Sequence, residues 1–298
     1  ISNATLSSEG DYHVVISDGR SALQSQTASV KITSNNPGRI VNLSVRAQLE
    51  ASGNPLITGF VVKGAGSRPV LVRAVGDTLA SFGVPDAHPD PKFELYSTGA
   101  SAITQNDQWQ GDDGRSAGAF PLLAGSKDAA LVAPLTAGPY TAPVTSSDGG
   151  SGVALLEVYD AATSSSVNVI NASTRAFVGS GDSVLIPGFV VSGTGSLKLL
   201  IRAVGPTLTS LGVTGVLADP TITLYHGTTA LATNDNWSGA TNAVEISATA
   251  AAVGAFALPA GSRDAALVTT LPAGNYTAIV SGVGSTTGTA LVELYVVP

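Results

Sequence analysis

Short runs of Val, Ile and Leu alternate with polar residues along most of the chain, and Gly, Pro, Asn or Ser bounds each run. A hydrophobic period of two predicts half-buried β-strands. In the first half we predict eight strands, near residues 40–48, 56–63, 69–75, 92–97, 101–105, 128–134, 139–145 and 152–159. No segment sustains helical spacing for long, and only the Ala-rich stretch 247–252 is expected to form a short helix.

The chain contains one long internal repeat. Matching segments 129 residues apart are Asn42–Arg46 with Asn171–Arg175, Leu56–Val62 with Leu185–Val191, and Val72–Leu79 with Ile201–Leu208. Later matches, such as Ala124–Val132 with Ala260–Val268, lie 136 residues apart, so the second copy carries an insertion after its Trp. A repeat of this length indicates a duplicated domain rather than a solenoid unit.

Strand content and duplication together predict an all-β fold. We expect two tandem homologous antiparallel β-sandwich domains of jelly-roll-like type, at residues 36–160 and 167–298, joined by a linker at 161–166. Thr136–Gly138 and Pro272–Gly274 are predicted to be hairpin turns. Thr78–Gly83 and Thr207–Gly212 are predicted to form one helical turn each, closed by the glycine.

The first 35 residues have no counterpart in the repeat. Tyr12 followed by alternating Val14 and Ile16, and then Thr27–Ile32, resemble the last two strands of an immunoglobulin-like domain, in which a Tyr closes a corner. Residues 1–35 are therefore predicted to be the terminal hairpin of such a domain plus a linker. Because the earlier strands and an initiator Met are absent, we expect a piece of a longer protein. Donation of this hairpin to a neighbouring chain is the alternative.

Composition narrows the classes of partner. Only 12% of the residues are charged and the formal net charge is −7, which argues against nucleic acid or an anionic membrane surface. No apolar run is long enough for membrane insertion. The chain has no cysteine, which excludes disulfides, zinc–thiolate sites and iron–sulfur clusters. Its small, polar texture favours an extracellular or cell-surface location.

The sequence shows no reaction chemistry. His13, His88 and His226 do not recur between the copies and are interpreted as surface or loop residues. Neither a nucleophile elbow with a partner His nor a phosphate-binding loop is found. We therefore predict no enzyme and no resident cofactor.

The best ligand candidate is a loop of acids, amides and Trp that occurs in both copies. Its members are Asn106, Asp107, Trp109, Asp112 and Asp113 in the first copy, and Asn234, Asp235, Asn236 and Trp237 in the second. Clustered oxygens suit Ca²⁺, and a Trp can stack on a sugar ring. The structural alternative is that Asn and Asp cap a turn while Trp fills an edge of the sandwich. The EF-hand pattern is absent, so calcium rests on the cluster alone.

Five charged positions recur in both copies. They are Arg46/Arg175, Arg73/Arg202, Asp90/Asp219, Asp128/Asp264 and Glu157/Glu293. In a chain so poor in charge, this retention indicates a structural role. Because Arg73 and Glu157 lie on mostly apolar strand faces, we predict that they form a buried ion pair, with the guanidinium engaging both carboxylate oxygens. Arg202 and Glu293 should do the same.

The motif run Gly-Phe-Val-Val, Arg-Ala-Val-Gly, Asn-Asp-x-Trp and Ala-Gly-Ser-Lys/Arg-Asp-Ala-Ala-Leu resembles the tandem C-terminal repeats of large secreted bacterial proteins that bear Ig-like domains. It is more weakly similar to pre-peptidase C-terminal domains. The resemblance covers roughly residues 39–298 and implies a non-enzymatic structural or adhesive module, with a fibre or filament as one form. The alternative is a carbohydrate-binding accessory domain. Expected partners are other copies or domains of the same surface protein, and polysaccharide.

Overall fold

The computed structural model describes residues 10–30, 38–51, 55–111, 114–161 and 167–298. Asp112, Asp113 and all but the first residue of the predicted 161–166 linker lie outside this described part. Contacts divide the chain into two compact units, residues 1–36 and 37–298.

Within the first unit, the described residues form an antiparallel ribbon of four short strands. Their bounds are β1 (Gly10–Tyr12), β2 (Val15–Ser17), β3 (Ala22–Gln24) and β4 (Ala28–Val30). β1 pairs with β4 and β2 with β3, so the segment folds back on itself. At the tip, the Asp18 carboxylate accepts hydrogen bonds from the backbone N–H groups of Arg20 and Ser21 at 2.8 and 2.7 Å. Tyr12, expected at a corner, lies on β1 with 43% of its surface exposed.

The second unit holds both copies of the repeat. Copy one contains β5 (Arg39–Leu49), β6 (Leu56–Val75), β7 (Pro91–Leu95), β8 (Thr104–Asn106), β9 (Ala129–Ser146) and β10 (Gly152–Asp160). Copy two contains β11 (Val167–Val178), β12 (Ile186–Ser192), β13 (Leu197–Val204), β14 (Pro220–His226), β15 (Thr229–Asn234), β16 (Ala265–Leu271), β17 (Gly274–Gly282) and β18 (Gly288–Val296). The all-β prediction is confirmed.

Helical segments are few and short. The α-helix α1 (Ala243–Ala252) lies in the insertion of copy two and confirms the expected Ala-rich helix. The 3-10 turns Asp77–Phe82 and Pro206–Leu211 end at Gly83 and Gly212, whose φ angles of 75° and 82° favour glycine. Further 3-10 turns span Arg115–Ala117, Gly181–Ser183, Trp237–Gly239 and Val283–Ser285. In the described part of the chain, no helix has the length and apolarity to span a membrane.

The two predicted hairpin turns are wrong. β9 runs through Gly138 without a break and stays paired with β6, which has an irregularity between Val62 and Ser67. In copy two, β16 and β17 pair with different neighbours rather than with each other. In copy one the Ala-Gly segment therefore lies within a strand, and in copy two it lies where the chain changes its partner strands. Turn residues alone do not distinguish these arrangements from a hairpin, because all of them need local backbone freedom.

The first strand of each copy joins the two copies. β5 pairs with β10 of its own copy on one side and with β12 of the other copy on the other side. β11 likewise pairs with β18 of its own copy and with β6 of copy one. The exchange is pseudo-symmetric: Gly188 pairs with Ser44, and the equivalent Gly59 lies against Ser173. β5 and β11 are also joined by parallel bridges, so the four strands β5, β10, β6 and β11 pair in a closed ring.

A single hydrophobic core extends across both copies. Alternate residues of the exchanged strands point into it, and the stacked pairs Phe60–Tyr140 and Phe189–Tyr276 occupy equivalent places, with ring centroids 5.6 and 5.4 Å apart. Each copy also has one smaller hydrophobic cluster, in which loop residues cover the outer face of its strands. In copy two, α1 supplies part of this cover through Ile246 and Ala250. The outer layers are where the retained charges lie.

Candidate functional site

Each copy contains a buried arginine–glutamate pair. Arg73 Nε lies 3.1 Å from Glu157 Oε2, and Arg202 Nε donates to Glu293 Oε2 at 2.8 Å. Both arginine side chains have no exposed surface. The neighbouring strands impose these contacts, because Glu157 is directly opposite Arg73 in the β10–β6 register and Glu293 opposite Arg202 in the β18–β13 register. The structure thus brings together the four residues singled out as structural ion pairs.

The expected use of both carboxylate oxygens by arginine is wrong. In copy two, Arg202 Nε and Nη2 both reach Oε2 of Glu293, whereas Oε1 accepts the Tyr295 hydroxyl at 2.7 Å. In copy one, Oε1 of Glu157 accepts the Tyr159 hydroxyl at 2.8 Å. The Tyr two residues after the acid lies on the same face of its strand and takes the second oxygen.

In each copy, Nη1 of the buried arginine holds a loop against the sheet. Arg73 Nη1 donates to the Phe120 carbonyl at 2.8 Å, and the guanidinium carbon lies 4.4 Å from the centre of the Phe120 ring. Arg202 makes the same two contacts with Phe256, at 2.6 and 4.3 Å. Each arginine thus joins a strand acid to the Gly-Ala-Phe loop that covers the outer cluster.

Burial raises the pKa values of the glutamate in copy one and of the tyrosines in both copies. Desolvation raises the pKa of Glu157 above its ordinary value, although the Arg73 charge and the Tyr159 hydrogen bond oppose the shift. Burial, followed by the nearby glutamate, also raises the pKa of Tyr159 and of Tyr295 well above the usual range. The tyrosines therefore remain neutral donors at physiological pH.

A second retained acid holds the 3-10 turn against the sheet. The Asp128 carboxylate is fully buried and accepts hydrogen bonds from Gly76 N at 2.7 Å and Ser126 Oγ at 2.6 Å, and from the Thr78 hydroxyl. In copy two, Asp264 accepts from Gly205 N at 2.8 Å and from the Thr207 hydroxyl. These donors satisfy the carboxylate from several sides, which is the condition for burying a charge.

The Asn-Asp-x-Trp loops use their polar atoms to support the sheet. Asn106 Oδ1 accepts from Ala130 N at 3.0 Å, and Asn234 Oδ1 accepts from Ala266 N at 2.9 Å. Trp109 is half-buried and Trp237 is 8% exposed. Their indole N–H groups both donate to serine hydroxyls at 3.1 Å, Trp109 to Ser126 and Trp237 to Ser262. These contacts fit the capping and edge-filling interpretation.

The acids of these loops do not converge on one point. Asp107 accepts the Ser147 hydroxyl, and Asp235 Oδ1 accepts the side-chain N–H of Asn236 at 2.6 Å. Within the described ranges, no group of three His, Cys, Asp or Glu residues has the geometry to hold a metal ion. Asp112 and Asp113 belong to the part of the loop that is not described, so calcium remains a prediction for copy one.

Sequence reasoning missed an ion cluster specific to copy one. Asp160, 3% exposed, accepts hydrogen bonds from both the Nε and Nη2 of Arg68 and from Arg39. The equivalent positions in copy two are Asn168, Leu197 and Val296, so this cluster is not among the charges that recur in both copies. The signal available in the sequence was an Asp at the end of a buried strand.

His88 lies in a loop, as one half of its interpretation expected, but it is buried rather than at the surface. Its side chain has no exposed surface, and its Nδ1 accepts a hydrogen bond from Asp90 N at 3.1 Å. Leu217 takes its place in copy two, where it is likewise buried. The position is therefore part of the core in both copies, and its histidine carries no sign of a ligand site.

No protein-family model and no curated protein matches this chain. Among solved structures, a DUF4785 family protein from Legionella pneumophila is 9% identical over 97% of this chain and 80% of that chain, with a TM-score of 0.22. A likeness at this level carries no argument about function.

Proposed function

We propose that the chain is a non-enzymatic structural or adhesive module of a large secreted or cell-surface bacterial protein, acting outside the cell and able to form part of a fibre. The observation that carries the proposal is the exchange of first strands between the copies. Pulling the copies apart would require breaking the β5–β12 and β11–β6 ladders. Interlocked sheets of this kind suit a part that bears load.

The use of the retained charges supports the same proposal. Arg73, Glu157 and Asp128, with their equivalents in copy two, bind loops and turns to the sheets and have their hydrogen-bonding groups directed at the protein itself. Groups that act on a reactant would instead have to face an open cleft. The low charge and the absence of Cys and Met also suit an exposed, oxidation-resistant material.

We also propose that the two copies descend from tandem jelly-roll-like sandwiches that exchanged their first strands after duplication, following the terminal hairpin of an Ig-like domain. Support comes from the matched registers of the exchanged strands and from the back-folded ribbon of residues 10–30. In this history each copy once paired its own first and second strands.

Immunogold electron microscopy of intact bacteria that express the parent protein tests the location, using antiserum raised against residues 37–298. We expect label on unpermeabilised cells, on surface fibres or in released matrix. Label that requires permeabilisation would contradict the proposal. Negative-stain microscopy of the purified protein then tests fibre formation, and a glycan array tests the carbohydrate-binding alternative.

A further inference from the structure

One retained charge, the arginine of the Arg46/Arg175 pair, forms no salt bridge with an acid among the described residues. Among the five recurring pairs, the other four have ion-pair or hydrogen-bond partners in both copies. Arg46, by contrast, reaches only the Asp182 carbonyl, through Nη2 at 3.4 Å, and its buried Nε makes no hydrogen bond with the described residues. Its equivalent, Arg175, forms no salt bridge within the described residues and is exposed. A positive charge kept twice without an acid partner calls for another explanation.

Both arginines line pockets that the pseudo-symmetry relates. The first, of about 370 Å³, contains Arg46 beside the loop Phe82–Asp86 that follows the 3-10 turn. The second, of about 360 Å³, contains Arg175 beside the equivalent loop, Leu211–Thr214. Val153 and its equivalent Thr289 complete the matching walls. The duplication therefore preserved a pocket and its arginine.

The loop wall of each pocket is built in the same way. After the left-handed glycine, the N–H of Val84 bonds to the Leu79 carbonyl at 3.2 Å, and that of Val213 bonds to the Leu208 carbonyl at 3.2 Å. Each loop presents a large apolar side chain to solvent: Phe82 and Leu211 are both 59% exposed. An exposed apolar residue beside an arginine, at equivalent places, offers a ligand one charged contact and one apolar contact.

We propose that each pocket binds a sugar acid, that is, a uronate unit of an acidic polysaccharide. The guanidinium of Arg46 or Arg175 would take the carboxylate through two parallel hydrogen bonds. The apolar face of the sugar ring would lie against Phe82 or Leu211. Gln48 and Ser183 in the first pocket, and Thr214 and Thr289 in the second, offer partners for ring hydroxyls. This site is distinct from the Asn-Asp-x-Trp loops.

The two pockets should differ in strength. Asp86 and Asp182 line the first pocket, where they would repel a carboxylate and favour hydroxyl contacts. Gly215 replaces Asp86 in copy two, and no acid is among the described residues that line the second pocket. We therefore expect the Arg175 pocket to bind a uronate more tightly than the Arg46 pocket.

A heteronuclear NMR titration of the full 298-residue chain with sodium glucuronate tests the proposal, with glucose and sodium acetate as matched probes. Glucuronate should move the backbone amide signals of Gly83 and Gly212 and their neighbours, with saturation at millimolar concentration, of the order expected for one charged contact in a small ligand. Glucose and acetate should each bind at least about tenfold more weakly, because each lacks half of the recognised chemistry.

Variants separate the pockets. Arg175→Gln should abolish the stronger set of shifts, Arg46→Gln the weaker set, and the double variant both. Arg263→Gln removes an arginine that lines neither pocket, and it should bind as the unaltered protein does. Thermal melts check that each variant is folded, and the map of shifts on the unaltered chain provides a readout that does not depend on any variant.

The proposal fails if the double variant keeps the shifts, if glucose binds as tightly as glucuronate, if the shifts map to the Asn-Asp-x-Trp loops, or if no saturable binding occurs. This inference rests on the proposed adhesive function for its biological setting, and it adds a class of ligand to that function. Failure here would leave the surface-labelling result unchanged, and an intracellular location would leave the NMR result unchanged. The two claims can therefore be judged separately.

Discussion

Replacing Arg73 with alanine tests the structural role of the retained charges most directly. The side chain is fully buried and joins Glu157 on β10 to the Phe120 carbonyl of the covering loop. Alanine removes the ion pair, the hydrogen bond and the contact with the Phe120 ring together, and it leaves the Glu157 carboxylate in a site with 5% side-chain exposure.

The expected loss of stability is about 3–5 kcal/mol, since an uncompensated buried carboxylate dominates the cost. For a unit of this size, that loss corresponds to a fall in Tm of roughly 10 °C. The surface pair Arg263–Asp219 provides the contrast, because 66% of the Arg263 side chain is exposed. Arg263→Ala should cost less than about 1 kcal/mol.

The cost of Arg73→Ala should also depend on pH. Burial raises the pKa of Glu157 in the folded state, so the stability contributed by this carboxyl is present below its unfolded pKa and falls as pH rises towards the folded value. Without Arg73, which lowers that pKa, the folded value moves higher and the loss continues to a higher pH. The variant should therefore lose more stability, relative to the unaltered protein, at pH 8 than at pH 5.

Urea unfolding of both proteins at the two pH values measures these differences. Arg202→Ala is the matched variant in copy two and should behave in the same way. Arg73→Ala combined with Glu157→Gln should recover part of the loss, because the neutral amide can still accept the Tyr159 hydroxyl. A single variant within about 1 kcal/mol of the unaltered protein at pH 8 would refute the reasoning.

Three further predictions concern the fold. Asp128→Ala should destabilise the protein by about 2–4 kcal/mol in a thermal melt, because it leaves buried donors without an acceptor. The control, Asp148→Ala, changes an exposed side chain and should cost under about 1 kcal/mol. Equal effects of the two substitutions would contradict this account. Residues 37–161 alone should be dimeric or unfolded in light scattering, since both exchanged ladders lose a strand, and a folded monomer would refute the exchange. Gly205→Ala should destabilise the protein by at least about 1–3 kcal/mol, because the new Cβ would lie 2.1 Å from a backbone oxygen. The control is Gly239→Ala, whose Cβ would meet nothing within 4 Å. Unchanged stability of Gly205→Ala would count against this packing.

Local pattern predicted much of what the structure contains. Most strand positions, the two glycine-closed turns and the α1 helix follow from period, glycine placement and alanine content, which act over a few residues. The predicted strands 56–63 and 69–75 are one strand in the structure, as are 128–134 and 139–145. The pairing of Arg73 with Glu157 followed from duplication, since charges kept on apolar strand faces had to meet each other. The Phe120 contact was missed because it joins a strand to a distant loop whose path the sequence alone does not determine. The Tyr159 contact was also missed, although Tyr159 lies only two residues from Glu157 on the same face of β10.

The sequence by itself determined that this protein is built of β-strands, that one unit was duplicated, and which charges both copies kept, because strand period and sequence identity are local or directly comparable properties. Tertiary structure alone decided that the two copies share strands and a core, that Gly138 lies within a strand, and that Arg46 and Arg175 line equivalent pockets. The physical reason is that a strand offers hydrogen bonds on two edges with no preference for its own copy. Only the burial of the shared core determines which neighbour occupies each edge.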